Sequence, residues 1–99
     1  MTMYNPPHPG EFIESVYLET TGLSGRQLAE HLDVAPSTIQ RLLKRKSGVT
    51  PEMALRLSTV LGRTPESWLA MQANYDLWHA KQNPFFSSLK PISMVAEFA

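Results

Sequence analysis

Residues 24–44 read SGRQLAEHLDVAPSTIQRLLK, and this stretch decides the fold. Ser24 followed three residues later by Gln27 is a capping box, in which each side chain satisfies the other's orphan backbone N–H. It predicts a short helix opening at Ser24, with Leu28, Ala29 and Leu32 on its inner face. Asp33-Val34-Ala35 breaks the helical period and reads as a turn. A second helix follows with Pro36 at its first position, where the missing N–H costs nothing. Its Ile39, Leu42 and Leu43 point inward, and Ser37, Thr38, Gln40, Arg41 and Lys44 are left outside. Ala29 is the small residue needed where two steeply crossed helices touch. Leu28, Leu32, Val34, Ile39 and Leu42 stand at the offsets that lock such a pair. The stretch therefore predicts a helix-turn-helix whose second helix presents a polar outer face. Ser47-Gly48 is expected to end that helix, with Gly48 as its left-handed cap.

Outward from this centre the chain is punctuated as a helical bundle. Pro6, Pro7, Pro9 and Gly10 make residues 1–8 an extended lead-in. A helix from Pro9 to about Leu18 carries Phe12, Ile13, Val16 and Tyr17 as one apolar stripe, and Thr20-Thr21-Gly22 ends it. Beyond the central pair, Thr50-Pro51-Glu52 opens a fourth helix with an N-cap, a first-turn proline and a first-turn acid. Met53, Ala54, Leu57, Val60 and Leu61 are its core side, and Gly62 closes it. Thr64-Pro65-Glu66 repeats the opening for a fifth helix that runs to Lys81 or Gln82 and is limited by Pro84. This last helix has two apolar stripes, Trp68-Met71-Tyr75-Trp78 and Leu69-Ala73-Leu77. One can complete the core. The other would stay open on a monomer, which predicts a homodimer, with Trp68, Met71, Tyr75 and Trp78 as its interface. The fold class is all-α: a five-helix domain over 9–82 and a tail over 83–99. The tail has no helical period, and it either folds onto a partner or frays.

Ninety-nine residues with 42% hydrophobic content suit one small core. With no cysteine, disulfides, iron–sulfur clusters, thiolate zinc sites and cysteine nucleophiles are excluded. The longest apolar run, Trp68 to Met71, is far too short for a membrane span, so the chain reads as cytoplasmic, with no membrane partner. Net charge is zero but unevenly spread: residues 1–25 carry −3, residues 26–63 carry +4 and residues 64–99 carry −1. Arg41, Lys44, Arg45 and Lys46 lie within six positions. A local basic patch beside an exposed polar helix face is the footprint of site-specific binding to double-stranded DNA. The expected DNA-facing set is Arg26, Pro36, Ser37, Thr38, Gln40, Arg41, Lys44, Arg45 and Lys46. Within it Arg41 suits a bidentate guanine contact and Gln40 an adenine contact.

His8-Pro9-Gly10-Glu11, Leu23-Ser24-Gly25-Arg26-Gln27-Leu28-Ala29, Ser37-Thr38-Ile39, Ser47-Gly48-Val49-Thr50-Pro51-Glu52 and Thr64-Pro65-Glu66-Ser67-Trp68-Leu69 together resemble the Cro/repressor-type (XRE) DNA-binding domain. Gln72-Ala73-Asn74-Tyr75-Asp76-Leu77-Trp78 is similar to the HigA-type, or VapI-like, antitoxins of bacterial toxin–antitoxin modules. The resemblance covers residues 8–80. It implies a homodimeric repressor of its own operon that also neutralises a HigB-type toxin, a RelE-like ribonuclease cleaving messenger RNA. The alternative is a stand-alone phage-type repressor with no toxin. Three positions depart from the family pattern: Asp33 replaces a turn glycine, Ala35 replaces a Ser or Thr cap, and Gly25 replaces a glutamine.

Catalysis and cofactors find little support. His8, His31 and His79 have no paired metal-ligand spacing. Glu11 and Glu14 lack the third group and the pocket that acid–base chemistry needs. The glycines read as caps and turns rather than a phosphate loop. The tryptophans and Tyr75, which could stack on single-stranded bases, fit core or interface better at helical spacing. The chain is expected not to be an enzyme and to use no metal or cofactor.

Overall fold

The computed structural model describes residues 5–92, in which five helices follow one another and no strand occurs among the described residues. The first, α1, is one continuous run, α-helical over Pro9–Phe12, π-helical over Ile13–Leu18 and α-helical again over Glu19–Thr21. Then come α2 (Gly25–Leu32), α3 (Pro36–Leu43), α4 (Pro51–Leu61) and α5 (Pro65–Ala80). A 3₁₀ turn, Pro84–Ser88, follows α5. The openings are those the sequence marks. Ser24 and Gln27 form the complete capping box. Thr50 and Thr64 accept the N–H groups of Met53 and Ser67.

Four details differ from the expectation. The first concerns α1, which continues to Thr21 because its middle is wound in π hydrogen bonds, Glu19 N–H donating to the Glu14 carbonyl. A turn closed at i→i+5 brings Ile13 and Leu18, five apart, to the inward side. Both are buried, and Val16 is exposed. In α4, Met53, Ala54 and Leu57 are buried, whereas Val60 is exposed. The left-handed residue after α3 is Arg45 (φ 63°), not Gly48. The cap falls three residues earlier than expected: Lys46 N–H donates to Arg41 O and Arg45 N–H to Leu42 O, a Schellman closure. The fourth is the tail, where Asn83 caps the 3₁₀ turn by accepting the Phe85 N–H at 2.9 Å. Residues 1–4 of the lead-in and 93–99 of the tail lie outside the described residues.

The core gathers Ile13 and Leu18 of α1, Leu28, Ala29 and Leu32 of α2, Ile39 and Leu42 of α3, Met53, Ala54 and Leu57 of α4, and Trp68 of α5. Trp68 corrects the dimer-face expectation. Its residual exposure is 0%, its indole N–H donates to Gly62 O at 2.9 Å, and its ring packs on Phe12 and Tyr17. The Arg63 guanidinium lies 5.7 Å from the Trp68 ring centre and 5.1 Å from that of Phe12. Trp68 therefore offers no open surface to a partner.

His8 ties α1 to the rest of the bundle. Its ring is buried, Nδ1 accepts the Gly10 N–H at 2.9 Å as the N-cap of α1, and Tyr75 of α5 meets it edge-on. Burial, then the positive charge of Arg45, hold its pKa below 6.5, outweighing Asp76, the Ser47 backbone and Glu11. A lowered histidine pKa means that the unfolded chain takes up the proton first as pH falls. The stability that His8 contributes is then complete above pH 6.5 and is lost on acidification below it. Urea unfolding at pH 7.5 and pH 5.5 should show a lower midpoint at the acid value. His8→Asn, which keeps a capping oxygen but does not titrate, should flatten that difference. An unchanged difference in His8→Asn would remove His8 as its source.

Candidate nucleic-acid interface

The α2–α3 pair is held from both sides. Asp33 ends α2 in the left-handed region (φ 58°), with Val34 N–H donating to Ala29 O and Asp33 N–H to Glu30 O. Aspartate is among the few residues that visit this conformation readily, so the turn forms without glycine. Arg56 of α4 fixes the same corner. Its Nη1 donates to Leu32 O at 2.6 Å and Asp33 O at 3.1 Å, and Nη2 lies 3.6 Å from Glu52. Sequence reasoning missed this role. The sequence marks Glu52 only as a first-turn acid, and nothing local to Arg56 announces a reach back across 24 positions.

At the other end of α2, Gly25 faces the side chains of α3. A Cβ there would meet Gln40 Nε2 and Leu43 Cδ1 at 3.1 Å each. After α3, the chain is pinned to α5. Gln72 Oε1 accepts the Val49 N–H at 2.9 Å, and a Cβ on Gly48 would lie 2.8 Å from the Gln72 amide carbon. Gly48 serves this close approach rather than a left-handed cap.

These supports leave one face of α3 open. Ser37, Gln40, Arg41 and Lys44 are exposed at i, i+3, i+4 and i+7, opposite the buried Ile39 and Leu42. Thr38 is half-buried on the flank, and Pro36 is exposed. No side chain caps the start of α3 at Ala35, so its N-terminal dipole is not offset by a capping oxygen. Arg26 is exposed near the start of α2. Arg45 departs from the expected group. Its left-handed backbone turns it toward α1, where Nη2 lies 3.3 Å from Glu11 Oε1. Lys46 is exposed beside it. The structure thus brings Ser37, Gln40, Arg41 and Lys44 onto one helix face and sets Arg45 apart. Among the described residues no group of acidic, histidine or cysteine side chains is arranged to hold a metal. No helix there is long and apolar enough to cross a membrane.

A family model described as Helix-turn-helix matches residues 17–69, more than half of the chain and the whole of α2–α4. The chain belongs to the helix-turn-helix family. Within that family it is of the XRE type, and its relatives include HigA-type antitoxins. It is 43% identical over 76 residues to Virulence-associated protein I of Dichelobacter nodosus, covering 77% of this chain and 70% of that protein. It is 36% identical over 81 residues to Antitoxin HigA-1 of Vibrio cholerae, covering 81% and 75%. Among solved structures, antitoxin GraA superimposes with TM-score 0.84 at 36% identity, over 91% of this chain and all of that one. GraA in complex with its operator gives TM-score 0.81 at 36% identity, over 93% and 96%. This helix-turn-helix protein is a DNA-binding regulator of the HigA antitoxin type and belongs to no enzyme class.

Proposed function

We propose that this regulator binds the operator of its own operon as a homodimer in the cytoplasm, and that it neutralises a cognate RelE-like, messenger-RNA-cleaving toxin of the HigB type. The observation that carries the DNA half is the single open face of α3, with Ser37, Gln40, Arg41 and Lys44 in line beside the basic residues 41–46. The likeness to GraA bound to its operator supports it over nearly the whole chain. The toxin half is supported by the relatedness to Antitoxin HigA-1.

In the dimer, two copies of α3 enter successive major grooves roughly 34–36 Å apart. Arg41 reads a guanine edge, Gln40 an adenine edge, and Ser37 and Thr38 a base or a phosphate. Arg26, Lys44 and Lys46 bind phosphates, with Arg45 near the backbone beside its Glu11 partner, and Pro36 sets the helix start. The dimer forms along α5 through its open side. Ala70, Ala73, Leu77 and Ala80 are exposed there, and Leu77 is 56% exposed. Met71, Tyr75 and Trp78, all half-buried, flank that stripe.

Two substitutions separate readout from attachment. Arg41→Ala should weaken operator binding by about 1–3 kcal/mol and relax preference at one base pair. Lys44→Ala should weaken all duplexes alike and lower the salt slope by about one unit. Fluorescence anisotropy on duplexes from upstream of the gene, titrated with salt, measures both. A shallow salt slope for the unaltered protein would remove the DNA reading. Capture of the tagged protein from its native cells tests the other half. One stoichiometric small ribonuclease is expected. A blank with operator binding intact would leave a stand-alone repressor.

A further inference from the structure

One member of the basic run at the end of α3 is held by an acid from another helix. Among the described residues Arg41, Lys44 and Lys46 make no ion pair, whereas Arg45 Nη2 lies 3.3 Å from Glu11 Oε1. Glu11 belongs to the first turn of α1.

Backbone packing sets the two residues side by side. α1 and α3 touch at Gly10 and Leu42, where a Cβ on Gly10 would lie 2.8 Å from the Leu42 carbonyl carbon. Glu11 follows Gly10, and Arg45 stands three residues after Leu42. Both backbones are fixed. The turn that carries Glu11 is capped by the buried His8 ring, and Phe12 N–H donates to His8 O at 3.0 Å. Arg45 is set at φ 63° by the bonds from its own N–H to Leu42 O and from Lys46 N–H to Arg41 O. What is left to rotate is the two side chains, each 51% exposed. Fixed anchors lower the entropy cost that makes most exposed ion pairs weak.

This pairing competes with nucleic acid. Lys44 and Lys46, on either side of Arg45, are exposed and belong to the phosphate-binding set proposed above. A duplex that meets them brings phosphates to Arg45 as well. A guanidinium binds phosphate and carboxylate alike, by charge-assisted hydrogen bonds. Arg45 must therefore give up Glu11, or take a phosphate beside a carboxylate that repels it. We propose that Glu11 limits operator affinity by keeping Arg45 from the phosphates. The proposal rests on the DNA reading given above, and it adds a residue of α1 that opposes binding. An exposed pair of this kind is worth about two- to fivefold in an equilibrium constant.

Glu11→Gln keeps the side-chain length and removes the charge. Fluorescence anisotropy at low salt should show binding about two- to fivefold tighter. The gain should be equal on duplexes from upstream of the gene and on random duplexes of the same length, because a phosphate contact carries no sequence information. The salt slope should steepen by about 0.9, the value for one more neutralised phosphate. Glu14→Gln measures what the loss of any nearby acid does. Glu14 is exposed, makes no ion pair among the described residues, and lines a cavity with Gln40 and Lys44 of α3. Its slope should match the parent's. Arg45→Ala should weaken binding less than twofold on its own and should abolish the gain when combined with Glu11→Gln. A gain in Glu14→Gln as large as that in Glu11→Gln, or one that survives Arg45→Ala, reduces Glu11 to bulk charge and overturns the proposal. Weaker binding by Glu11→Gln means that the acid presents Arg45 to the duplex, and overturns it too. A steep slope in the parent with no gain in Glu11→Gln removes this proposal alone. A shallow slope in the parent and in every variant removes the DNA reading and the proposal together.

Discussion

Replacing Gly10 by alanine is expected to destabilise the protein by about 3 kcal/mol or more, the upper part of the range for overpacking a filled site. The direction runs against helix propensity, which favours alanine over glycine by about 1 kcal/mol within a helix. Gly10 is buried in the first turn of α1, and its backbone is ordinary helix, so no unusual torsion requires glycine there. The requirement comes from α3. A Cβ at residue 10 would overlap Leu42 O, and would lie 2.8 Å from the Leu42 carbonyl carbon and 3.0 Å from Leu43 Cα. Each of these is backbone, so no rotamer change makes room. The helix must lift away, breaking the His8 cap and exposing Ile13. For a domain of this size the loss should lower the melting temperature by roughly 12 °C or more, at about 4–8 °C per kcal/mol. Thermal unfolding followed by circular dichroism measures it. A variant as stable as the parent would mean that α1 does not meet α3 so closely.

Trp68→Ala should cost about 3–5 kcal/mol of folding free energy, the range for deleting a fully buried large aromatic. The indole is surrounded by Phe12, Tyr17 and the Arg63 guanidinium, and its N–H is satisfied by Gly62 O. The loss belongs to the single chain and should not depend on protein concentration. Had Trp68 been an interface residue, the substitution would split a dimer and leave the fold intact. Urea unfolding at two concentrations a hundredfold apart separates the cases. A folded, monomeric Trp68→Ala protein would return the residue to the surface. Trp68→Phe, which keeps most of the volume and loses the hydrogen bond, should be the milder change, at roughly 1–2 kcal/mol.

The contrast between these two positions shows what can be read from a sequence. Helix starts were legible because their causes are local: Ser24 with Gln27, Thr50 with Pro51 and Thr64 with Pro65 act within one turn. The α3 face was legible because Ser37, Gln40, Arg41 and Lys44 are polar at helical spacing, against Ile39 and Leu42 on the other side. For α5, periodicity shows two apolar stripes but carries no mark of which one meets the bundle, so the expectation sets Trp68 at a dimer face whereas it lies in the core. The π winding of α1 was hidden because a changed hydrogen-bond register leaves no compositional mark. Gly48 drew the left-handed assignment because glycine adopts that region most easily, yet the cap falls where helical hydrogen bonding stops, at Arg45. Long-range fixtures such as Arg56 on Leu32 O, or Gln72 on Val49 N–H, join residues more than 20 positions apart and have no local signature.

Two non-glycine residues in the left-handed region, Asp33 and Arg45, bracket α3, and backbone hydrogen bonds close the helix end at each. The C-terminal end of α3 is therefore set by main-chain geometry, and its start follows a turn that Arg56 anchors, while among the described residues the side chains of Ser37, Arg41 and Lys44 make no hydrogen bond or ion pair. Such a helix behaves as an interchangeable cassette. Its outward residues can diversify with little penalty to folding; on the proposed reading of α3, operator preference can then drift while the scaffold stays the same. On that reading it also offers an engineering route: new target sequences could be sought by randomising those positions alone, with the turns at Asp33 and Arg45 left untouched.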